Sequence, residues 1–174
     1  MADTPDTIVL KRHRDLDGRK NEIWIRRGIF GLLCVLPLLA LLDVFGQRPS
    51  SSTATAPAAV LDVYAASHVR GGVIFETRFH VTARRDLRHA VLVLDPGWLE
   101  GMTLNTIEPS PLAEGSRNGR LILTLGPIPH GTSYLLFLQF QVDPTNVGRR
   151  SQRVDLYDGS RALATVHRTI TVFP

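Results

Sequence analysis

The residue types that perform enzyme chemistry occur in this chain, but their spacing matches no catalytic motif. The one cysteine, Cys34, lies inside an apolar run, which leaves no thiol for nucleophilic catalysis or a cysteine-based zinc cluster. The segment 115–119, GSRNG, does not have the spacing of a G-x-S-x-G nucleophile elbow. No phosphate-binding loop, H-E-x-x-H or C-x-x-C is present. We therefore expect a protein that is not an enzyme and holds no cofactor.

The histidines and acids give only weak candidates for a metal or an acid–base site. No two histidines have the i,i+4 spacing of a helical metal site; they are His13, His68, His80, His89, His130 and His167. His80 and His167 fall on predicted strands, so neighbouring strands would be able to bring them together as ligands. Surface or turn histidines are the more common case, and no metal site is predicted. The acids Glu76, Asp95, Glu100 and Glu108 are scattered, and nothing identifies a carboxylate pair for glycoside hydrolysis.

The charge distribution argues against a nucleic-acid partner. The 174 residues include 20 Lys+Arg and 16 Asp+Glu, which gives a net charge of +4. Seven of the basic residues precede residue 28, and the chain from Val60 onward has 12 arginines against 10 acids. Neither part has the dense basic stripe of a nucleic-acid interface. The cluster Arg149, Arg150 and Arg153 fits a solvated strand edge or loop better than a phosphate site.

An apolar segment near the N-terminus, residues 23–46, is predicted to be a transmembrane signal-anchor helix. Residues 28–42 carry no charge, and a core near 18 residues spans roughly 27 Å, close to the hydrocarbon thickness of a thin bilayer. The basic residues of the polar tail, residues 1–22, place that tail in the cytoplasm by the positive-inside rule. Trp24, Arg26 and Arg27 are expected at the cytoplasmic membrane interface. The chain is thus predicted to be a single-pass protein of the cell membrane.

Other roles for the apolar segment fit the sequence less well. A cleaved signal peptide needs a small-x-small site just after the segment, and residues 43–48, DVFGQR, supply none. A lipoprotein needs a small residue before a cysteine near the end of the segment, whereas Cys34 is central and follows Leu33. Arg26-Arg27-Gly28 loosely resembles a twin-arginine export signal, although paired arginines before a membrane helix are common for topology alone. The signal-anchor interpretation is favoured.

The remainder of the chain is predicted to be a linker followed by an all-β domain. Residues 47–59, QRPSSSTATAPAA, are predicted to be a flexible tether. Residues 60–174 form the predicted extracytoplasmic domain, in which apolar residues recur with period two. Seven or eight short strands separated by turn signals indicate an antiparallel sandwich of two sheets. The predicted extended segments are 60–65, 72–83, 89–94, 102–108, 120–125, 133–142, 154–157 and 164–173, with Asp158-Gly159 as a hairpin turn.

Two segments carry a resemblance to a known family. GGVIFETRFHVTA (71–83) and LTLGPIPHGTSYLLFLQFQV (123–142) resemble the immunoglobulin-like modules repeated in bacterial surface proteins. In those modules a glycine opens the second strand, and an L-G-x-x-x-x-G stretch turns into a long apolar strand. Leu125, Gly126 and Gly131 match that pattern. The resemblance implies an immunoglobulin-like β-sandwich in an extracytoplasmic setting, and it brings no catalytic residues with it.

The most distinctive stretch is 95–111, DPGWLEGMTLNTIEPSP, which places Trp98, Leu99 and Met102 near loops. Either Trp98 caps the sandwich core, or the three side chains form a contact patch for a partner protein or the membrane surface. The favoured function is a non-catalytic accessory or adaptor subunit, with another membrane or envelope protein as its partner. The alternative is a sandwich that binds envelope carbohydrate or another small ligand, for which an exposed aromatic platform at Trp98 is expected.

Overall fold

The N-terminal unit of the structure contains a single described helix. The structure is a computed structural model that describes residues 20–42 and 47–174, and it divides into two compact units at Val44–Phe45. Helix α1, Lys20–Leu41, contains Pro37, and its portion Ile23–Leu41 has a mean hydropathy of 1.8 with none of it buried. A helix of this length and composition is able to cross a membrane. Most of the predicted tail, 1–19, and the end of the predicted helix, 43–46, lie outside the described residues.

The second unit is built from ten strands and one short 3-10 helix, Pro96–Trp98. The strands are β1 Arg48–Thr55, β2 Ala59–Arg70, β3 Ile74–Ala83, β4 Leu87–Leu94, β5 Met102–Glu108, β6 Ala113–Arg117, β7 Arg120–Ile128, β8 Ser133–Val142, β9 Gly148–Asp158 and β10 Arg161–Phe173. The prediction of an all-β domain is confirmed. The segments 102–108 and 133–142 have the predicted bounds, and β3 is two residues shorter than the predicted segment 72–83. The other predicted strands are longer than expected.

The described strands form one continuous sheet that curls around a single core, instead of two separate sheets. Neighbours follow the order β5-β8-β3-β2-β10-β9-β4-β7-β6, and β1, which is outside this order, also pairs with β2. All pairs are antiparallel except β2 with β10, which run parallel over three residues, His68–Arg70 against Thr171–Phe173. This short pairing joins the two walls of the sandwich. The prediction of two separate sheets was therefore wrong in detail, because periodicity marks strands but not the hydrogen bonds that connect them.

The alternating pattern predicted the inward faces correctly. On β3, residues Phe75, Thr77, Phe79, Val81 and Ala83 are all buried, and on β8 the same holds for Leu136, Leu138, Phe140 and Val142. The predicted hairpin is also present: Asp158 pairs with Arg161, and Gly159 has a positive φ of 59°. Because side chains alternate across a strand, this register directs apolar groups from both walls into one cluster.

The predicted tether, 47–59, is a strand along most of its length. Residues Arg48–Thr55 pair antiparallel with β2, from Arg48 opposite His68 to Thr55 opposite Val60. The composition was misleading because β1 contributes little apolar area to the core and is held mainly through backbone hydrogen bonds, which serine, threonine and alanine make as well as any residue. Six residues, 42–47, separate α1 from β1.

Strand β6 was also missed, since no extended segment was predicted between 102–108 and 120–125. It pairs with β7 from Ala113 opposite Thr124 to Arg117 opposite Arg120, and all five of its residues are exposed. An edge strand with both faces in solvent needs no alternation of apolar residues, so period-two analysis has nothing to detect.

Candidate functional site

The predicted contact patch around Trp98 is part of the core. Trp98 is 0% exposed and Met102 is 5% exposed, while Leu99 is partly buried against the core. The indole lies 5.4 Å from the ring of Phe79 and 5.8 Å from the ring of Phe140, and its Nε1 donates a hydrogen bond to the Arg153 carbonyl. The core-capping alternative is therefore the one that the structure shows. Neither Trp98 nor Met102 is available to a partner, and no aromatic platform is exposed at this position.

The local backbone explains why the tryptophan turns inward. The 3-10 helix brings Gly97 against the backbone carbonyl of Ser151, where a Cβ atom would clash. Because of this close approach, the Pro96–Trp98 turn packs directly against β9. The side chain of Trp98, the residue after Gly97, therefore enters the end of the sandwich. A large aromatic side chain stabilises the fold most when it is fully removed from water and when its polar atom makes a hydrogen bond.

The two histidines considered as possible metal ligands, His80 and His167, lie on strands that are not neighbours. His80 is opposite Asp62 on β2, whereas His167 is opposite Arg153 on β9. Among the residues that the structure describes, no group of three or more His, Cys, Asp or Glu is arranged to hold a metal ion.

In α1 the Arg27 guanidinium lies 5.4 Å from the centre of the Trp24 ring. Trp24 is well exposed, and its position at a membrane interface stays a prediction.

The outer side of the wall β2–β3–β8–β5 carries an exposed arginine between two aromatic rings. The Arg78 guanidinium lies 5.6 Å from the centres of both the Tyr64 and the Phe137 rings. These contacts follow from register, because Arg78 on β3 is opposite Tyr64 on β2 and Phe137 on β8. Arg78 Nε also donates to Glu76 Oε1 at 2.7 Å. The two rings and the carboxylate hold the arginine in one place while about half of its side chain stays exposed.

Two shallow depressions flank this arginine, and we call the whole surface the Arg78 face. One depression has a volume of about 280 Å³ and is lined by Ser51, Asp62, Tyr64, Arg78, His80 and Leu135. The other is about 100 Å³ and is lined by Glu76, Thr106, Glu108, Phe137, Leu138 and Gln139. Tyr64 and Leu135 are large apolar residues with 38% and 41% of their surface exposed. Exposed tyrosine and arginine beside a partly buried phenylalanine, with polar residues around them, are typical of protein–protein interface centres.

A second concave region lies on the opposite wall. It has a volume of about 610 Å³ and is lined by Val93, Asp95, Pro96, Arg117, Asn118, Arg120, Ile122 and Tyr157. Arg120 Nε lies 3.1 Å from Asp95 Oδ1, whereas exposed Arg117 sits beside it on the turn that joins β6 to β7. We call this region the β6–β7 groove. Its arginines, asparagine and tyrosine match the groups that bind an anionic or polyhydroxylated small molecule.

A buried arginine that the sequence analysis missed closes the gap between β2 and β10. Arg168 is 7% exposed, and its guanidinium donates to the carbonyls of Ser50, Val63 and Ala65 at 2.7, 2.8 and 2.7 Å. A further bond of 3.1 Å reaches Ser50 Oγ. Burial lowers the pKa of Arg168 from its usual value, although nearby Asp62 acts in the opposite direction. The alternation of β10 contained the signal, since Arg168 occupies an inward position between Val166 and Ile170.

An ion pair on the outer side of β9 has a structural role. Asp155 is 2% exposed and its Oδ1 accepts bonds from Arg153 Nε at 2.9 Å and from Thr165 Oγ1 at 2.6 Å. The hydrogen bond to Asp155 is the main cause that raises the pKa of Arg153. Because Arg153 is held by this carboxylate, the predicted cluster Arg149, Arg150 and Arg153 does not act as one unit.

Comparisons with known proteins add no family to this description. No family model matches the chain, and no curated protein is similar to it in sequence. Among solved structures, a non-cellulosomal cohesin from Archaeoglobus fulgidus is 13% identical with a TM-score of 0.43, over 72% of this chain and 93% of the cohesin. The protein CaCohA2 from Clostridium acetobutylicum is 14% identical with a TM-score of 0.45, over 68% of this chain and 92% of its own. Similarities at this level carry no function to this chain.

Proposed function

We propose that this chain is a non-catalytic, single-pass membrane protein that presents a β-sandwich outside the cytoplasm and docks a protein partner through the Arg78 face. The observation that carries the proposal is the exposed arginine held between two aromatic rings. Arginine and tyrosine are over-represented among the residues that dominate binding energy, and both occur here at the middle of one sheet wall.

The geometry of the Arg78 face reduces the cost of binding. A free arginine loses rotamer entropy when a partner immobilises it, which costs about 0.5–1.5 kcal/mol for a flexible side chain. Arg78 is already fixed by Tyr64, Phe137 and Glu76. The depressions on either side offer room for a partner's side chains, while the β-strand backbone beneath keeps the surface rigid. A partner with an acidic or carbonyl-rich surface is expected to bind the exposed edge of the guanidinium.

The apolar helix supports the membrane part of the proposal. Its basic flank, with Arg26 and Arg27, favours a cytoplasmic N-terminus, so the strands follow on the other side of the bilayer. Anchoring in the same membrane as the partner raises the effective concentration of the two, and a modest interface is then sufficient. The sandwich would act as an adaptor or accessory subunit of a membrane or envelope complex.

Site-specific photocrosslinking in intact membranes tests the docking surface. A photoreactive residue at Leu135, on the Arg78 face, is expected to give a discrete adduct, whereas one at exposed His167 on the other wall is the matched control. Adding Arg78→Ala should weaken the interaction about 30-fold if Arg78 is worth about 2 kcal/mol. Adducts that are equal at both positions, or that survive Arg78→Ala unchanged, would contradict docking through this face.

The alternative function is binding of a small anionic or sugar ligand in the β6–β7 groove. Its volume lies in the range of ligand sites, and Arg117 and Asn118 present polar groups at its rim. The burial of Trp98 removes the aromatic platform that this alternative was expected to use. Titration of the protein with acidic sugars, followed by NMR, should shift resonances of Tyr157 in the native chain and not in Arg117→Ala. An absence of shifts in both would reject it.

A further inference from the structure

The net charge of the β-sandwich is concentrated at one end of it. Strand β1 begins at Arg48, and the antiparallel order brings the end of β2, the start of β3 and the start of β9 to the same end. Six arginines and three acids lie there, a side-chain charge of +3; they are Arg48, Arg70, Arg117, Arg120, Arg149 and Arg150 against Asp95, Glu100 and Asp143. We call this the basic end.

The remainder of the sandwich is neutral by the same count. The opposite end has four arginines and four acids, Arg84, Arg85, Arg88 and Arg161 against Asp86, Glu108, Glu114 and Asp158. Three arginines and three acids lie between the ends, Arg78, Arg153 and Arg168 against Asp62, Glu76 and Asp155. The excess charge from residue 47 onward is therefore a property of one end and not of the whole surface.

Register also gathers aromatic and apolar groups at the basic end. Thr171 on β10 is opposite Arg149 on one side and His68 on the other, and His68 is opposite Arg48. Phe173, at the next outward position, is 37% exposed and stacks on the His68 ring at 5.8 Å. Val147, just before β9, is 49% exposed. Arginines around an exposed phenylalanine and valine are the composition of surfaces that rest on lipid headgroups.

We infer that the basic end binds the anionic phospholipid headgroups of the membrane that holds α1. This inference rests on the membrane anchoring in the proposed function, and not on docking through the Arg78 face. The short connection between α1 and β1 favours lipid binding by the basic end, because the six residues 42–47 reach at most about 21 Å when fully extended. Arg48, the first residue of β1, is thus kept within reach of the bilayer surface, while the Arg78 face is left open to a protein partner.

The test uses the full chain reconstituted in liposomes, with a fluorophore that reports the polarity of its surroundings. The label is attached to Val147→Cys in a Cys34→Ser background. Liposomes of phosphatidylcholine alone are compared with liposomes that also contain phosphatidylglycerol. Insertion of the label among lipid headgroups should shift its emission to the blue, and this shift is expected only in liposomes that contain phosphatidylglycerol. High salt should abolish the shift because it screens exposed charges that are more than a few ångströms apart.

Charge removal at each end provides the matched comparison. Arg48→Gln with Arg149→Gln should reduce the ratio of bound to free sandwich about 25-fold, at about fivefold per arginine near a charged membrane. Arg84→Gln with Arg85→Gln removes the same charge from the opposite end and should leave the fluorescence unchanged. Equal effects of the two pairs would overturn the inference, as would a blue shift in phosphatidylcholine alone or none in either lipid. Resistance to alkaline extraction reports the insertion of α1, and the crosslink at Leu135 reports docking through the Arg78 face. Failure of membrane anchoring, of docking or of lipid binding by the basic end can therefore be told apart.

Discussion

Removal of the Arg168 guanidinium should be among the most damaging single changes in the sandwich. Arg168 reaches across the gap where β2 and β10 are not paired, and it supplies hydrogen bonds to the carbonyls of Val63, Ala65 and Ser50. The parallel pairing of β2 with β10 covers only three residues. The guanidinium therefore adds hydrogen bonds from β10 to both β1 and β2 beside this short parallel pairing.

The magnitude follows from the acceptors that Arg168→Met leaves behind. The bonds to Val63 and Ala65 are buried, and an unsatisfied buried carbonyl costs about 1–3 kcal/mol. Two such groups cost about 2–6 kcal/mol, and relief from burying a charge offsets part of this. We expect a net loss of about 3 kcal/mol. At about 2.1 cal/mol/K per residue, the roughly 130 residues of the sandwich give a fall in Tm of about 11 °C.

Thermal unfolding followed by circular dichroism measures this loss. Arg161→Met is the matched control, because Arg161 lies on the same strand but is exposed, and it should change Tm by less than about 2 °C, as surface substitutions do. Arg168→Lys keeps the charge but lacks the planar fork, so its Tm should fall between the other two. If Arg168→Met and Arg161→Met have the same Tm, the guanidinium does not hold the walls together and the reasoning is refuted.

Three further predictions concern the remaining structural features. Trp98→Ala should cost about 3–5 kcal/mol in urea unfolding, since the side chain is fully buried, whereas a surface contact residue would cost much less. Gly97→Ala should also destabilise the protein because its Cβ meets the Ser151 carbonyl, while Gly115→Ala, in open space, should not. Amide hydrogen exchange across Arg48–Thr55 should be slow, as in a paired strand; exchange at the rate of an unstructured peptide would show that this segment is a tether after all.

Periodicity predicted the parts of the fold that bury apolar side chains. The inward faces of β3 and β8 were correct because each alternates over nearly its whole length and each packs into the core. The same reasoning failed for β1 and β6, which are held by backbone hydrogen bonds and bury few side chains. Trp98 was ambiguous for a different reason: its direction depends on the close approach of Gly97 to β9, a contact between residues far apart in sequence.

The candidate surfaces lay beyond sequence analysis because each is assembled across strands whose order the sequence does not state. Tyr64, Arg78 and Phe137 are spread over 74 positions of the chain and meet only because β2, β3 and β8 are neighbours in that register. A shift of one residue in either pairing would turn a ring away from the arginine. The charge asymmetry of the sandwich differs from the Arg78 face, because it depends only on where along its strand each charged residue lies. Once the direction of β1 is known, the strand order assigns each arginine to one end or to the middle, so the charge asymmetry is less sensitive to register than the Arg78 face is.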